Sequence, residues 1–396
     1  MSARASVRVP PKKRDWSWRS QAFRGVVFQI IAIALVVFAL WYLAHNTVEN
    51  MRVRGIQSGF GFLAQPAGFD IGESLIPYDA LDPYWKSFLV GILNTLRVAV
   101  VGIIVATILG ALIGVGRFSH NALLRGLCYG YVELFRNFPV LLQLLMWYII
   151  FTEILPPITE PISIANAFFL SKAGVSFPIP VWDTGWTLGL IGLGVGLVAA
   201  GIYRRRALRN FELTGQAHSF VLVPAAIALG VTILGWVIGG GPTDFSIPVP
   251  GGFSMEGGAS ATPEFLAVLL GLVMYTSAFI AEVVRAGIGS VSHGQVEAAG
   301  SLGLARGLAM RLVILPQALR VIIPPMTSQY LNLTKNSSLA VAIGYPDVVS
   351  ISNTALNQTG RAVECIAIIM AVYLTTSLST AGFMNWYNKR AAIKER

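Results

Sequence analysis

The sequence predicts an all-α integral membrane protein with about eight transmembrane helices, and three observations carry that expectation. Of 396 residues, 55% are hydrophobic and only 12% charged, a balance that soluble domains do not show. Eight apolar runs approach the roughly 20 residues that a helix needs to cross about 30 Å of hydrocarbon. These runs are unbroken rather than alternating, which argues against a spanning β-barrel.

The expected spans are 26–45, 90–115, 131–151, 186–202, 219–240, 263–283, 321–344 and 363–385. Basic residues orient them. On one side lie 21 of the Lys and Arg residues: seven before the first span, Arg117 and Arg125, the four arginines of "YRRRALRN", Arg285, Arg306, Arg311, Arg320, and four in "NKRAAIKER". Five lie on the other side, namely Arg52, Arg54, Lys86, Lys172 and Arg361. Arg97, Arg136 and Lys335 fall within or at the edge of spans. Because cytoplasmic loops collect Lys and Arg, the asymmetry sets both termini inside. It also accounts for the net charge of +10 without invoking nucleic acid as a partner.

Cys128 and Cys365 fall near opposite membrane faces, so no disulfide between them is expected. The basic N-terminal stretch reads as a cytoplasmic tail before an uncleaved span, not as a signal peptide. Trp41, Trp147, Trp186 and Trp386 fall near span ends, where amphipathic rings anchor. Gly110 with Gly114, and Gly192 with Gly196, have the spacing of close helix packing in lipid. The external loops, such as "FPIPVWDTG" and "IPVPGGFSMEGGASATP", are expected to be irregular, with short interfacial helices at most.

Several chemistries are excluded. Gly is nowhere followed by Lys, so the chain has no P-loop of its own. Neither H-E-x-x-H nor G-x-S-x-G occurs, and His45, His120, His218 and His293 are scattered, so no metal site and no catalytic cluster are expected. The run "GLIGLGVG" imitates a nucleotide loop by letter only, since it lies inside a span and follows no strand.

The stretch "EAAGSLGLARGLAMRLVILPQAL", Glu297 to Leu319, is helical, basic and on the water side. Gly303 between two short helices permits a turn that a Cβ would oppose. Ala298 and Ala299 leave a flat surface for close approach by another protein, with Glu297 and Arg306 at its rim. Pro316 is expected to end or kink the second helix before the next span. The positions Glu297, Ala298, Ala299, Gly303, Val313, Leu315 and Pro316 resemble the cytoplasmic coupling loop of permease subunits of bacterial ABC importers, Val313 standing where Ile is frequent. "GILNTLRVAVVGIIVATILGALIGVGRFS", "YVELFRNFPVLLQLLMWY" and "LNLTKNSSLAVAIGYPDV" narrow the resemblance to importers of polar amino acids.

The resemblance covers roughly 88–150 and 263–385, implying a five-helix permease core within 88–385. Residues 1–25 and 386–396 are then cytoplasmic tails. The first span with its external loop, 26–87, and the helix pair near 186–240 are additions, expected to pack peripherally. The resemblance to long members with such additions implies one of two paralogous permeases in broad-specificity, general L-amino-acid systems.

Charged and amide groups inside spans are functional candidates by default. Lys335, followed by Asn336, Ser337 and Ser338, is expected to interrupt its helix beside a translocation cavity; the alternative is a structural pair with Glu282 or Glu133. Arg136, Asn137 and Gln143 surround Pro139 and either line the path or, for Arg136, snorkel at the membrane edge. Asn94, Arg97 and Gln329 are either path residues or interhelical hydrogen-bond partners. Relatives selective for basic substrates look acidic after the lysine, whereas this chain does not, so neutral and acidic amino acids are the expected cargo.

The resemblance therefore implies a bacterial inner-membrane permease subunit, not itself an enzyme, that moves amino acids from periplasm to cytoplasm by alternating access. Its implied partners are two ATP-binding subunits, a second permease, a periplasmic binding protein and lipid. ATP and Mg would sit on the ATPase, with no cofactor in this chain. The alternative is an ion- or proton-coupled secondary transporter.

Overall fold

The computed structural model describes residues 18, 20–53, 55, 58–215, 219–251 and 255–391. Most of the two tails expected in the cytoplasm therefore lies outside the described residues. Twelve helices form among the described residues: α1 (Gln21–Val53), α2 (Tyr84–Gly116), α3 (Ala122–Asn137), α4 (Val140–Ile149), α5 (Thr184–Thr214), α6 (Leu222–Ile238), α7 (Pro263–Gly289), α8 (His293–Ser301), α9 (Arg306–Ala309), α10 (Leu315–Asn336), α11 (Val348–Thr359) and α12 (Ala362–Ala391). Six helical segments are long and apolar enough to cross a membrane. A multi-pass membrane protein with several spanning helices is thus the architecture.

Two of the eight expected spans need correction. The run at 131–151 is not one helix, because α3 and its continuation through 154 meet at an angle of 104°. The break falls at Phe138 and Pro139; Pro139 has no N–H to donate and its ring disfavours helical backbone at Phe138. Counting the bent pair as one span gives seven. The run at 219–240 becomes α6, only 17 residues long and so about 25 Å, just short of a full crossing.

α7 is the centre of the bundle. Leu272, Ile280, Ala267, Val268 and Ala278 on it are completely buried, and it packs against α2, α4 and α10. Gly110 and Gly114 let the α2 backbone come down on α7: a Cβ at Gly110 would lie 2.6 Å from Ile280, and one at Gly114 2.8 Å from the carbonyl of Ala281. α5 and α6 form a second close pair, with Gly192 and Gly196 against the carbonyls of Val231 and Ala228. That pair packs chiefly on itself, and none of the apolar window of α1 is buried.

The external loops differ from expectation. They form strands β1 (Ile162–Ile164), β2 (Phe168–Ser171), β3 (Gly174–Phe177), β4 (Ile179–Pro180), β5 (Phe245–Ser246), β6 (Val249–Pro250), β7 (Met255–Glu256) and β8 (Ala259–Ala261). β1, β2, β3 and β8 make one antiparallel sheet, and β4 pairs with β5. β1, β2 and β3 are joined by local hairpins, whereas β3 with β8 and β4 with β5 pair across more than 60 residues, where no local turn signal announces them. Gly174, at φ 98°, is required at the seam, since a Cβ there would strike the carbonyl oxygen of Ala261 at 2.0 Å. β3, ahead of the α5–α6 pair, is thereby fastened to β8 at the start of α7, while β4 and β5, which lead into and out of the pair, are fastened to each other.

Candidate functional site

The first candidate site is the hairpin of α8 and α9. α8 ends in a left-handed turn with Gly303 at φ 72°. Leu304 N–H donates to the Ala299 carbonyl and Gly303 N–H to that of Gly300, the paired bonds of a Schellman stop with glycine at its left-handed position. Ala299 is buried while Glu297 and Ala298 are exposed, so the small pair splits between the hairpin's inside and its open face. His293 Nδ1 lies 3.2 Å from Glu297 Oε1, both on the exposed face. Leu302 at the tip is 80% exposed, with Val296 and Leu308 also uncovered. Apolar side chains at the tip of a polar hairpin need a partner to leave water. Arg306 opens α9, but its side chain lies outside the described residues.

Pro316 does not end the helical path into the membrane, one of the two outcomes expected from the sequence; it follows a local distortion of that path. Residues Met310–Ile314 form a π turn between α9 and α10, and Leu315 N–H bonds back to Met310. The wider turn makes room for the ring of Pro316, which sits in the first turn of α10, where a missing N–H costs least. Leu315 is exposed and Pro316 half-buried. Gln317 ties the junction by donating to Val313 O at 3.0 Å and reaching Gln295 of α8 at 3.4 Å. The hairpin is therefore continuous with a long helix through the bundle.

That helix carries the second candidate site. Arg320, Ser328, Asn332 and Lys335 are exposed on α10, spaced by eight, four and three residues, which places them on one face. Lys335 makes no ion pair among the described residues: Glu282 is held by arginines and Glu133 accepts from Asn137. The structural pairing offered as an alternative is thus absent. The helix is not broken at Lys335 but narrows to a 3-10 turn over Ser337–Ile343. Ser337 and Ser338 hydroxyls donate to the carbonyls of Thr334 and Lys335, so Ser337 is buried and Asn336 and Gln329 are half-buried. Ser328 and Asn332 were missed in the sequence; their four-residue spacing before Lys335 was the available signal.

A third group lies at the cytoplasmic ends of α2, α3 and α7. Arg285 and Arg117 both donate to the Glu282 carboxylate, and Arg136 stands 3.8 Å away, over the Phe279 ring. Two arginines occupy both carboxylate oxygens, leaving Arg136 as a surplus, partly exposed cation. Asn137 is exposed beside it, donating to Glu133 at 3.3 Å. Gln143 is different: fully buried, its amide donates to the carbonyls of Phe135 and Phe138, satisfying groups that the α3–α4 break leaves free.

Asn94 and Arg97 belong to none of these. Asn94 is completely buried, donating to the carbonyls of Glu73 and Pro346. Arg97 pairs with Glu73 and lies over the Phe265 ring, 3.9 Å from its centroid, while Glu73 also accepts from Thr262. Nearby Asp347 caps α11 by accepting from Ser350 N–H at 2.8 Å, and its burial pushes the carboxyl up to about 7. This outer junction fastens the chain before α2 to α2, α7 and α11. The structure thus brings Arg136 and Glu282 together, and Lys335 with Asn336 and Ser338, but places Asn94 and Gln143 as backbone clamps.

Comparison with known proteins is consistent with these features. Residues 192–393 match the family described as binding-protein-dependent transport system inner membrane component. The general L-amino acid transport system permease protein AapQ of Rhizobium johnstonii is 46% identical, with 100% of each chain covered. The glutamate/glutamine/aspartate/asparagine transport system permease protein BztB of Rhodobacter capsulatus is 41% identical over 94% of this chain and 95% of its own. A crystal structure of an amino acid ABC transporter with histidines superposes on 78% of this chain and 95% of that one, at 20% identity and a TM-score of 0.46. The chain belongs to the binding-protein-dependent transport system inner membrane components, as a permease subunit of the ABC transporters.

Proposed function

We propose that this chain is one of two permeases of an importer that carries amino acids from the periplasm across the inner membrane, driven by ATP bound with Mg on separate ATPase subunits. The observation that carries the reading is the α8–α9 hairpin: a rigid stop at Gly303, an uncovered apolar tip at Leu302, and helical continuity through the π turn into α10. A groove on an ATPase that closes over this tip would move the hairpin and α10 as one body, changing the side on which the pathway is open. The exposed polar stripe of α10 is costly against lipid. It is better placed against a second permease across a wet cavity, with Lys335 attracting the substrate carboxylate and Asn332, Asn336, Ser328 and Gln329 adding adaptable hydrogen bonds. Arg136, left over by Glu282, would meet the carboxylate near the inner end. A periplasmic binding protein would deliver the cargo on the outer face.

Stripe and inner cluster both offer cations and amides, which suits neutral and acidic amino acids. The names of the relatives, general L-amino acid and glutamate/glutamine/aspartate/asparagine permeases, agree with that class. An ion- or proton-coupled transporter would have no use for a hairpin with an open apolar tip. The test is purification of the tagged chain from its own cell, followed by uptake in sealed vesicles. A stoichiometric P-loop ATPase and ATP-dependent uptake are expected. Uptake that persists without ATP, or a chain that purifies alone and transports, overturns the reading.

A further inference from the structure

We propose that the cytoplasmic end of α5 is a binding site for anionic phospholipid headgroups, formed by Arg204, Arg205, Arg206 and Arg209. All four are exposed, and among the described residues none of them makes an ion pair. The inference relies on the cytoplasmic orientation and not on what is transported.

The depth of the cluster follows from the packing of the pair. α5 and α6 run antiparallel, with Gly196 against Ala228 and Gly192 against Val231. Leu222, the first residue of α6, is therefore level with about residue 202 of α5. At the outer end Trp186 and Trp236 face each other, with ring centroids 6.4 Å apart, at the depth where such rings settle. The span from Trp186 to Tyr203 is about 26 Å long, so Arg204–Arg206 emerge at the inner headgroup layer. α5 then overhangs α6 as far as Thr214, and the returning chain covers it through Phe220 packed edge-on to Phe211 at 5.7 Å. The arginines thus sit on an ordered helix.

Direction matters as much as depth. Ala200 and Ala207 are buried and mark the covered side of α5. At 100° per residue the four arginines occupy an arc of about 200° on the opposite side. Directly outward on the same arc Leu190, Ile191, Leu197, Val198 and Ile202 are all exposed. An apolar stripe one leaflet long, capped by cations, has the shape and polarity of a phospholipid: acyl chains along Val198 and Ile202, phosphate at the guanidinium forks. Basic residues spread over half a helix circumference cannot all face one docked protein, but lipids surround a helix.

The complete transporter is purified, then exchanged into detergent with phosphatidylglycerol or phosphatidylcholine; retained lipid is measured by mass spectrometry and stability by thermal melting. Wild type is expected to retain phosphatidylglycerol and to melt higher with it than with phosphatidylcholine. R204Q/R205Q/R206Q/R209Q should retain at least about fivefold less phosphatidylglycerol and lose most of the shift, while the fourfold lysine variant keeps much of both. If the fourfold glutamine variant fails to insert, R205Q/R209Q carries the same test with a smaller loss. Equal retention by wild type and the glutamine variant overturns the proposal. So does an equal shift with phosphatidylcholine, or a full shift with inorganic phosphate alone, which would indicate a free-anion site.

Discussion

The outer junction around Glu73 and the inner hairpin around Gly303 are both polar, both built from chain flanking a spanning helix, and opposite in construction. At the junction three polar groups are turned inward: Glu73 is 9% exposed, Asn94 and Asp347 not at all, and each meets a partner on another element, Arg97, the Pro346 carbonyl and Tyr373 respectively. At the hairpin the backbone is fixed by its own Schellman bonds while Glu297, Leu302 and Leu308 have no tertiary cover. The first arrangement spends its polar groups on holding the molecule together. The second leaves its side chains available to another molecule. Rigidity of backbone with exposure of side chain is what separates a docking surface from a clamp.

Four substitutions separate docking from clamping. Gly303→Val forces a β-branched residue to φ 72° and should lower uptake and substrate-stimulated ATPase activity together by about tenfold or more, with insertion intact. Normal uptake at normal expression would remove the hairpin from the mechanism. Lys335→Ala should reduce glutamate uptake several-fold more than uptake of a neutral amino acid, because an ion-pair partner of the extra carboxylate is lost. Equal loss for both would make Lys335 a positional residue.

Glu73→Ala should act on stability instead, leaving Arg97 mostly buried without its carboxylate at a cost of about 3 kcal/mol, read as a fall in melting temperature with uptake per folded molecule preserved. A clean transport defect without destabilisation would move the junction into the pathway. The smallest effect concerns Asp347. Its folded carboxyl is raised by burial to about 7, so its contribution to stability is full below the ordinary aspartate range and is lost as pH rises to about 7. Asp347→Asn, which can still cap α11, should melt a few degrees higher relative to wild type at pH 8 than at pH 5. An unchanged difference between the two pH values would show that the carboxyl is already ionised in the fold.

The hairpin was readable in the sequence because each of its elements is local. Gly303 stops α8 through bonds to residues three to five positions back, and the exposure of Ala298 follows from the same turn. The close glycine pairs were readable for the same reason: four-residue spacing puts Gly110 and Gly114 on one face, and that face is where α7 lands. Asn94 and Lys335 looked alike in the sequence, a polar group inside an apolar run. Only packing distinguishes them, since the chain at Glu73 and Pro346 closes over Asn94 while nothing among the described residues closes over Lys335.

The membrane class, the hairpin and its stop were legible in the amino-acid sequence, because hydropathy and turn chemistry act over a few residues and need no partner. Tertiary structure decided the rest. It made strands of external loops by pairing Val175 with Ala261 across the α5–α6 pair, set a π turn ahead of Pro316, and bent the chain by 104° at Pro139 with Gln143 holding the freed carbonyls. Each of these depends on a backbone group finding its partner in space, and a polar group in a dry interior takes whichever partner the packing brings within reach.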